Sequence, residues 1–207
     1  MRTLFSLALL VMLSACAGTP ARYYSLMPMH QAASSLDRQT AGYAVRVDPV
    51  RVPAQVDRLQ LVVRQDAGPG VLVLNQSLWA APLADGIRGA LARELSQRLS
   101  AADATYLPAP GGADVWELGV EVRRFDLMEG AWTELDLNWS LKSDARPDAT
   151  SMICHAVIRR PVQAPGVAPL VESQREALQQ FADTVAAAIR SNAAGSGTNH
   201  PAIIGCT

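Results

Sequence analysis

The chain has 207 residues, 49% hydrophobic and 18% charged, with a formal charge of -1, the composition of an ordinary globular protein. Loss of residues 1–15 would leave 192 residues and, without Arg2, a charge of -2, enough chain for one domain with a real core. The balance excludes a nucleic-acid binder, which needs a clustered basic face. Lys142 is the only lysine among 18 basic residues, and we read that arginine bias as genomic composition rather than as an anion-binding device.

The chain opens with Arg2 and an uncharged apolar run, Leu4 to Met12, broken only by Ser6. A basic start, an apolar middle and small residues before a cut make a secretory signal. The run is well short of the ~20 residues a membrane span needs. The signal ends in Leu13-Ser14-Ala15-Cys16, which resembles the bacterial lipobox. The resemblance implies cleavage between Ala15 and Cys16, a diacylglycerol on the Cys16 thiol and an N-acyl chain, such as palmitate, on its freed amino group. Each buried methylene contributes about 0.8 kcal/mol and one chain holds only marginally, so three chains would anchor for good. The alternative is an ordinary secreted protein with a chance cysteine at the cut.

Residues 16–42 read as the lipidated N-terminus and a tether, with Pro20, Pro28 and a small polar run at Gln31 to Ser35. One stickier piece, Tyr23-Tyr24-Ser25-Leu26, has strand propensity and is expected to dock on the sheet. A single domain is expected over 43–191. Tyr43 to Pro53 alternates as a half-buried strand, ended by prolines that cannot donate to a ladder. Leu59 to Arg64 and Val71 to Asn75 read as a hairpin around Gly68-Pro69-Gly70. Asn75 to Pro82 then reads as a loop carrying Trp79, which either caps the core or offers a contact surface, since tryptophan is enriched at binding hot spots.

Pro82 to Leu99 is the first helix. Proline suits a helix start, and Leu83, Ile87, Leu91, Leu95 and Leu99 form one apolar stripe. Thr105 to Leu107 is expected as a short strand. Asp114 to Leu127 and Leu135 to Leu141 alternate as a long antiparallel hairpin with one wet face, with a bulge at Arg124-Phe125. Ser151 to Arg160 is a further strand, Pro161 to Pro169 a connection, and Glu172 to Ser191 the second helix. Residues 192–207 have the composition of a flexible tail. The expected fold is α+β: a mixed, mostly antiparallel sheet with two amphipathic helices packed on one face.

Chemistry-bearing motifs are scarce. His30, His155 and His200 lack metal-ligand spacing, and Cys154 and His155 are strand neighbours that face opposite ways. No Gly-x-Ser-x-Gly elbow, phosphate loop or dinucleotide fingerprint is present. Glu117, Glu121, Glu134 and Asp136 fit a solvated strand face. No catalytic residue, metal site or cofactor beyond the lipid on Cys16 is expected. Cys154 and Cys206 can pair in a compartment that permits disulfides, closing a loop of ~50 residues for about 4 kcal/mol; otherwise Cys154 is a buried strand thiol and Cys206 is free.

Several motifs, in order, resemble the PqiC-type auxiliary lipoproteins of the paraquat-inducible transport system, also described as ABC-type transport auxiliary lipoproteins. They are the lipobox at Cys16, Tyr23-Tyr24-Ser25-Leu26, Val45-x-Val47-x-Pro49-Val50-x-Val52-Pro53, and Asp57-Arg58-x-Gln60-Leu61-Val62-x-Arg64. Trp79-Ala80-x-Pro82-Leu83 and Val122-x-Arg124-Phe125 complete the set. The resemblance spans about residues 13 to 190 and leaves Cys206 outside. It implies a non-enzymatic outer-membrane lipoprotein facing the periplasm. It also implies a mammalian-cell-entry (MCE) domain protein as partner in lipid transport and membrane integrity, with ATPase and permease on separate chains. Tyr23, Tyr24 and Trp79 are then the candidate partner contacts, and a homo-oligomer would suit a tubular partner. Ala17, in place of the aspartate that retains lipoproteins at the inner membrane, fits export to the outer one. The rivals are an assembly lipoprotein of another envelope machine and a periplasmic hydrolase.

Overall fold

The computed structural model describes residues 20–27, 41–65, 68–144, 152–193 and 205–206. Ala15 and Cys16, with the rest of the signal, lie outside them. Among the described residues the fold is the expected α+β: nine strands in one mixed sheet, and two helices against one face of it. The two longest pairings, β6 with β7 and β7 with β8, are antiparallel, and parallel pairing is confined to short stretches.

Strand β1 (Arg22–Tyr24) lies at one edge, parallel to β4 (Val71–Trp79). β4 forms a hairpin with β3 (Gln60–Arg64). The centre is β6 (Asp114–Met128), joined along one edge to β7 (Trp132–Ser143), which pairs with β8 (Met152–Pro161). The other edge of β6 is shared. β2 (Tyr43–Val47) pairs in parallel with its first part, and β3 touches its end at Met128. The two-residue β5 (Ala102–Asp103) flanks β2.

Period-two alternation decides the faces. Trp116, Leu118, Val120 and Val122 of β6, then Leu135, Leu137, Trp139 and Leu141 of β7, are all buried under the helices. The ladder register shifts between Val122 and Arg124, within a residue of the expected bulge. The extra residue returns Phe125 and Leu127 to the dry side.

Helix α1 (Leu83–Leu99) starts after Pro82 and buries all five residues of its expected stripe. Helix α2 (Val167–Ala193) buries Leu178, Phe181, Val185 and Ile189. It begins five residues before the expected Glu172. Pro169 falls in its first turn, where a missing N–H leaves no hydrogen bond unmade. The early turns are polar yet buried. Ser173 shares a hydrogen bond with Thr133 at 2.7 Å, and Gln174 Nε2 donates to the carbonyls of Asp126 at 3.2 Å and Glu134 at 3.1 Å. The helix is thereby fixed to both strands of the long hairpin beside its bulge.

Three sequence expectations need correction. Thr105 to Leu107 is not a strand. The Asp103 side chain accepts the Thr105 N–H at 2.8 Å, and the Thr105 hydroxyl accepts the Val47 N–H at 3.1 Å, so local side-chain bonds replace a ladder. Trp79 is not in a loop: β4 runs on through polar Asn75-Gln76-Ser77 because β1 pairs with its last three residues. The C-terminal stretch is not unstructured throughout, since Gly205–Cys206 forms β9, antiparallel to β8.

The helices are clamped by charge. Glu94 of α1 is buried and bonds Arg98 one turn on, and Arg98 Nε reaches Asp183 of α2 at 2.6 Å. Burial would lower the Arg98 pKa, but the hydrogen bonds to Asp183 and Glu94 outweigh it and raise the pKa above its ordinary value. Removing one partner of a buried pair strands the other charge. Arg98→Ala should therefore cost about 3 kcal/mol in urea unfolding, and Glu94→Leu with Arg98→Met should recover most of that loss. An Arg98→Ala midpoint equal to wild type would show that the clamp contributes nothing.

Candidate functional site: the anchored edge and the open face

Two surfaces are positioned for interaction. The first is the sheet edge at β1. Tyr24 accepts the Ala80 N–H through its carbonyl at 2.8 Å, and Trp79 donates its N–H to the Leu59 carbonyl at 2.7 Å. Leu26 is buried and Met27 packs on the core. The segment therefore joins the folded body at Arg22, only six positions after Cys16. Tyr23 projects outward and is 66% exposed, while Tyr24 is half-buried against the core. Trp79 is 4% exposed and meets Phe125 edge-on at 5.9 Å. Its ring fills the core, so of the three candidate contacts only the tyrosines reach the surface.

The second surface is the face of the sheet away from the helices. Here cross-strand pairs match charge. Arg46 meets Glu117 at 2.6 Å, His155 Nε2 meets Asp136 at 2.8 Å, and Arg124 and Arg159 flank Glu134 at 3.6 and 3.9 Å. Arg159 also stacks on Trp132, 3.9 Å from the ring centroid. The carboxylates of Glu117, Glu134 and Asp136 thus have structural partners. Among them Ile153 is 57% exposed.

A hollow of about 300 Å³ interrupts this face. Asp48 and Arg51, beyond the end of β2, form one wall. Gly119 and Glu121 of β6 lie beside Asn138 and Ser140 of β7, with Ile153 of β8 opposite. It is absent from the expectations that the sequence supports. Its signals were Gly119, a glycine inside a strand, which weakens the strand and marks a close approach, and Pro49, which takes the chain out of the β2 ladder.

Cys154 and His155 point to opposite faces, the first buried and the second on the open face with Asp136. They form no nucleophile–base pair. Among the described residues no three His, Cys, Asp or Glu side chains are grouped to hold a metal, and no helix is long and apolar enough to cross a membrane. Cys154 is disulfide-bonded, and Cys206 is its register partner across β8 and β9. His30 and His200 lie outside the described residues.

A family model described as the ABC-type transport auxiliary lipoprotein component matches residues 24–186. Among solved structures, the crystal structure of an uncharacterized protein aligns at a TM-score of 0.65 and 19% identity, over 83% of this chain and 99% of its own. A Xanthomonas campestris protein of the DUF330 family aligns at a TM-score of 0.57 and 18% identity, over 79% of this chain and 92% of its own. Both show the shared fold. No curated protein matches the chain.

The register leads to a covalent test. Non-reducing peptide mapping of protein purified from the cell envelope should recover Cys154 linked to Cys206. Recovery of Cys206 as a free, alkylatable thiol would refute the pairing.

Proposed function

The chain belongs to the family of ABC-type transport auxiliary lipoprotein components, and from that premise we propose that it is a non-enzymatic docking subunit anchored in the outer membrane. Its lipid would be carried on Cys16, and its domain would face the periplasm. Its partner would be the MCE-domain protein of an intermembrane lipid transport system, held where that protein meets the outer membrane. A homo-oligomer around a tubular partner fits the same role.

The observation that carries this reading is the distance between anchor and fold. Six residue steps separate Cys16 from Arg22, where pairing with β4 begins. An extended chain spans at most ~3.6 Å per residue, so the sheet edge would stay within about 20 Å of the membrane surface. A short tether raises the effective concentration of a weak partner at that surface. It also brings the exposed ring of Tyr23, seven positions after Cys16, to the place where a membrane-end partner would sit.

Cys16→Ser tests the tether. The variant should fold, lose acyl labelling, leave the outer-membrane fraction and no longer support transport. Full complementation by this variant would refute the tethering reading. Affinity capture of wild type should recover the MCE protein, and recovery of barrel-assembly or lipopolysaccharide-export proteins instead would favour the rival envelope machine.

A further inference from the structure

We propose that the hollow over Gly119 binds a small zwitterion: an ammonium group joined by a short linker to an oxyanion. Three observations meet there.

The first is the space. Gly119 sits inside the longest strand, on the same side as Glu117 and Glu121. A Cβ at this position would lie 2.7 Å from the Ser140 Oγ and 4.0 Å from Asp48 Oδ2. Any larger residue would crowd the floor of the hollow. The volume of about 300 Å³ equals that of roughly ten waters at ~30 Å³ each, room for a ligand of several heavy atoms.

The second is uncompensated charge of both signs. Around the hollow, Arg46, His155, Arg124 and Arg159 each have a carboxylate partner. Inside it the matching stops. Among the described residues the Asp48 carboxylate, the Arg51 guanidinium and the Ser140 hydroxyl make no hydrogen bond or ion pair. Glu121 receives only a long bond from Asn138, at 3.4 Å. Arg51 and Glu121 face each other as register partners in an isolated parallel bridge, yet do not form an ion pair.

The third is how the backbone holds these groups apart. Asp48 donates its N–H to the Leu118 carbonyl at 2.9 Å, and Arg51 donates to the Val120 carbonyl at 3.2 Å. Pro49 and Val50 span the gap between these bonds. The main chain at both residues is thus fixed at separate stations along β6. A lone cation would leave Arg51 unmatched, and a lone anion would meet two carboxylates. A zwitterion satisfies both sets: its ammonium toward Asp48 and Glu121, its oxyanion on the guanidinium fork of Arg51, and its linker on Ile153.

Amine phospholipid headgroups and free soluble zwitterions share this chemistry. The test is a titration of the ¹⁵N-labelled Cys16→Ser full chain with O-phosphoethanolamine, followed by amide shifts. Shifts should centre on Gly119, Asn138 and Ile153. Ethanolamine alone and inorganic phosphate alone should each bind at least about tenfold more weakly, a loss of ~1.4 kcal/mol. Asp48→Asn and Arg51→Gln, both on the surface, should keep the folded spectrum and each weaken binding by a similar factor. Flotation with phosphatidylethanolamine vesicles, against phosphatidylglycerol vesicles, assigns the source. Selective co-flotation identifies a lipid headgroup, and soluble binding without it identifies a free zwitterion. The proposal fails if O-phosphoethanolamine shifts no amides up to tens of millimolar. It also fails if phosphate alone gives the same shifts, or if neither substitution weakens them.

Discussion

Strand β6 is the constraint on which the rest of the molecule depends. One edge carries β7 along its full length, and the other is divided between β2 and the end of β3. Its two faces differ completely. The inward row meets the helices, and the outward row meets water. A slip of one residue would exchange the rows and bury Glu117 and Glu121 in place of Leu118 and Val120. Because both helices pack against the sheet it centres, β6 sets where each can lie. The Arg98 clamp and the Gln174 bonds then select one arrangement from those that apolar burial alone would allow.

The elements that could be read from the sequence were those in which side-chain period decides the structure. The leucine stripe of α1, the alternation through β6 and β7 and the bulge after Val122 all have a periodic or broken-periodic signature. The failures share a different cause. The end of β4 looks like a loop because Ser77, Leu78 and Trp79 are paired by Arg22, Tyr23 and Tyr24, some fifty positions earlier in the chain. Thr105 looks like a strand residue by propensity, but its hydroxyl and the Asp103 carboxylate take the backbone donors. Ser173 and Gln174 look like helix surface until the carbonyls beside the β6 bulge are in view. In each case a long-range or side-chain hydrogen bond overrides a local preference.

The candidate surfaces divide in the same way. The edge at β1 was legible because paired tyrosines are a local signal of strand propensity. Trp79 drew attention for a sound reason, since tryptophan contributes strongly at interfaces, but the same large apolar ring is equally suited to cover Phe125. Sequence offers no means of separating those uses. The hollow was hard to read because it is assembled from four separate segments, and its local marks, Gly119 and Pro49, do not show what they border.

The two surfaces also sit differently with respect to stability. The β1 edge contributes to the fold through Leu26 and through the bonds of Tyr24 and Trp79, so an anchor attached there loads a segment that is itself part of the structure. The hollow contributes in the opposite sense. A glycine within a strand weakens it, and unmatched charges forgo the pairing that their neighbours make. Arg51 and Glu121 stand opposite each other as bridge partners, yet make no ion pair. A hydrogen-bonded main chain that sets unpaired charges of both signs around an open floor is arranged for a ligand bearing both.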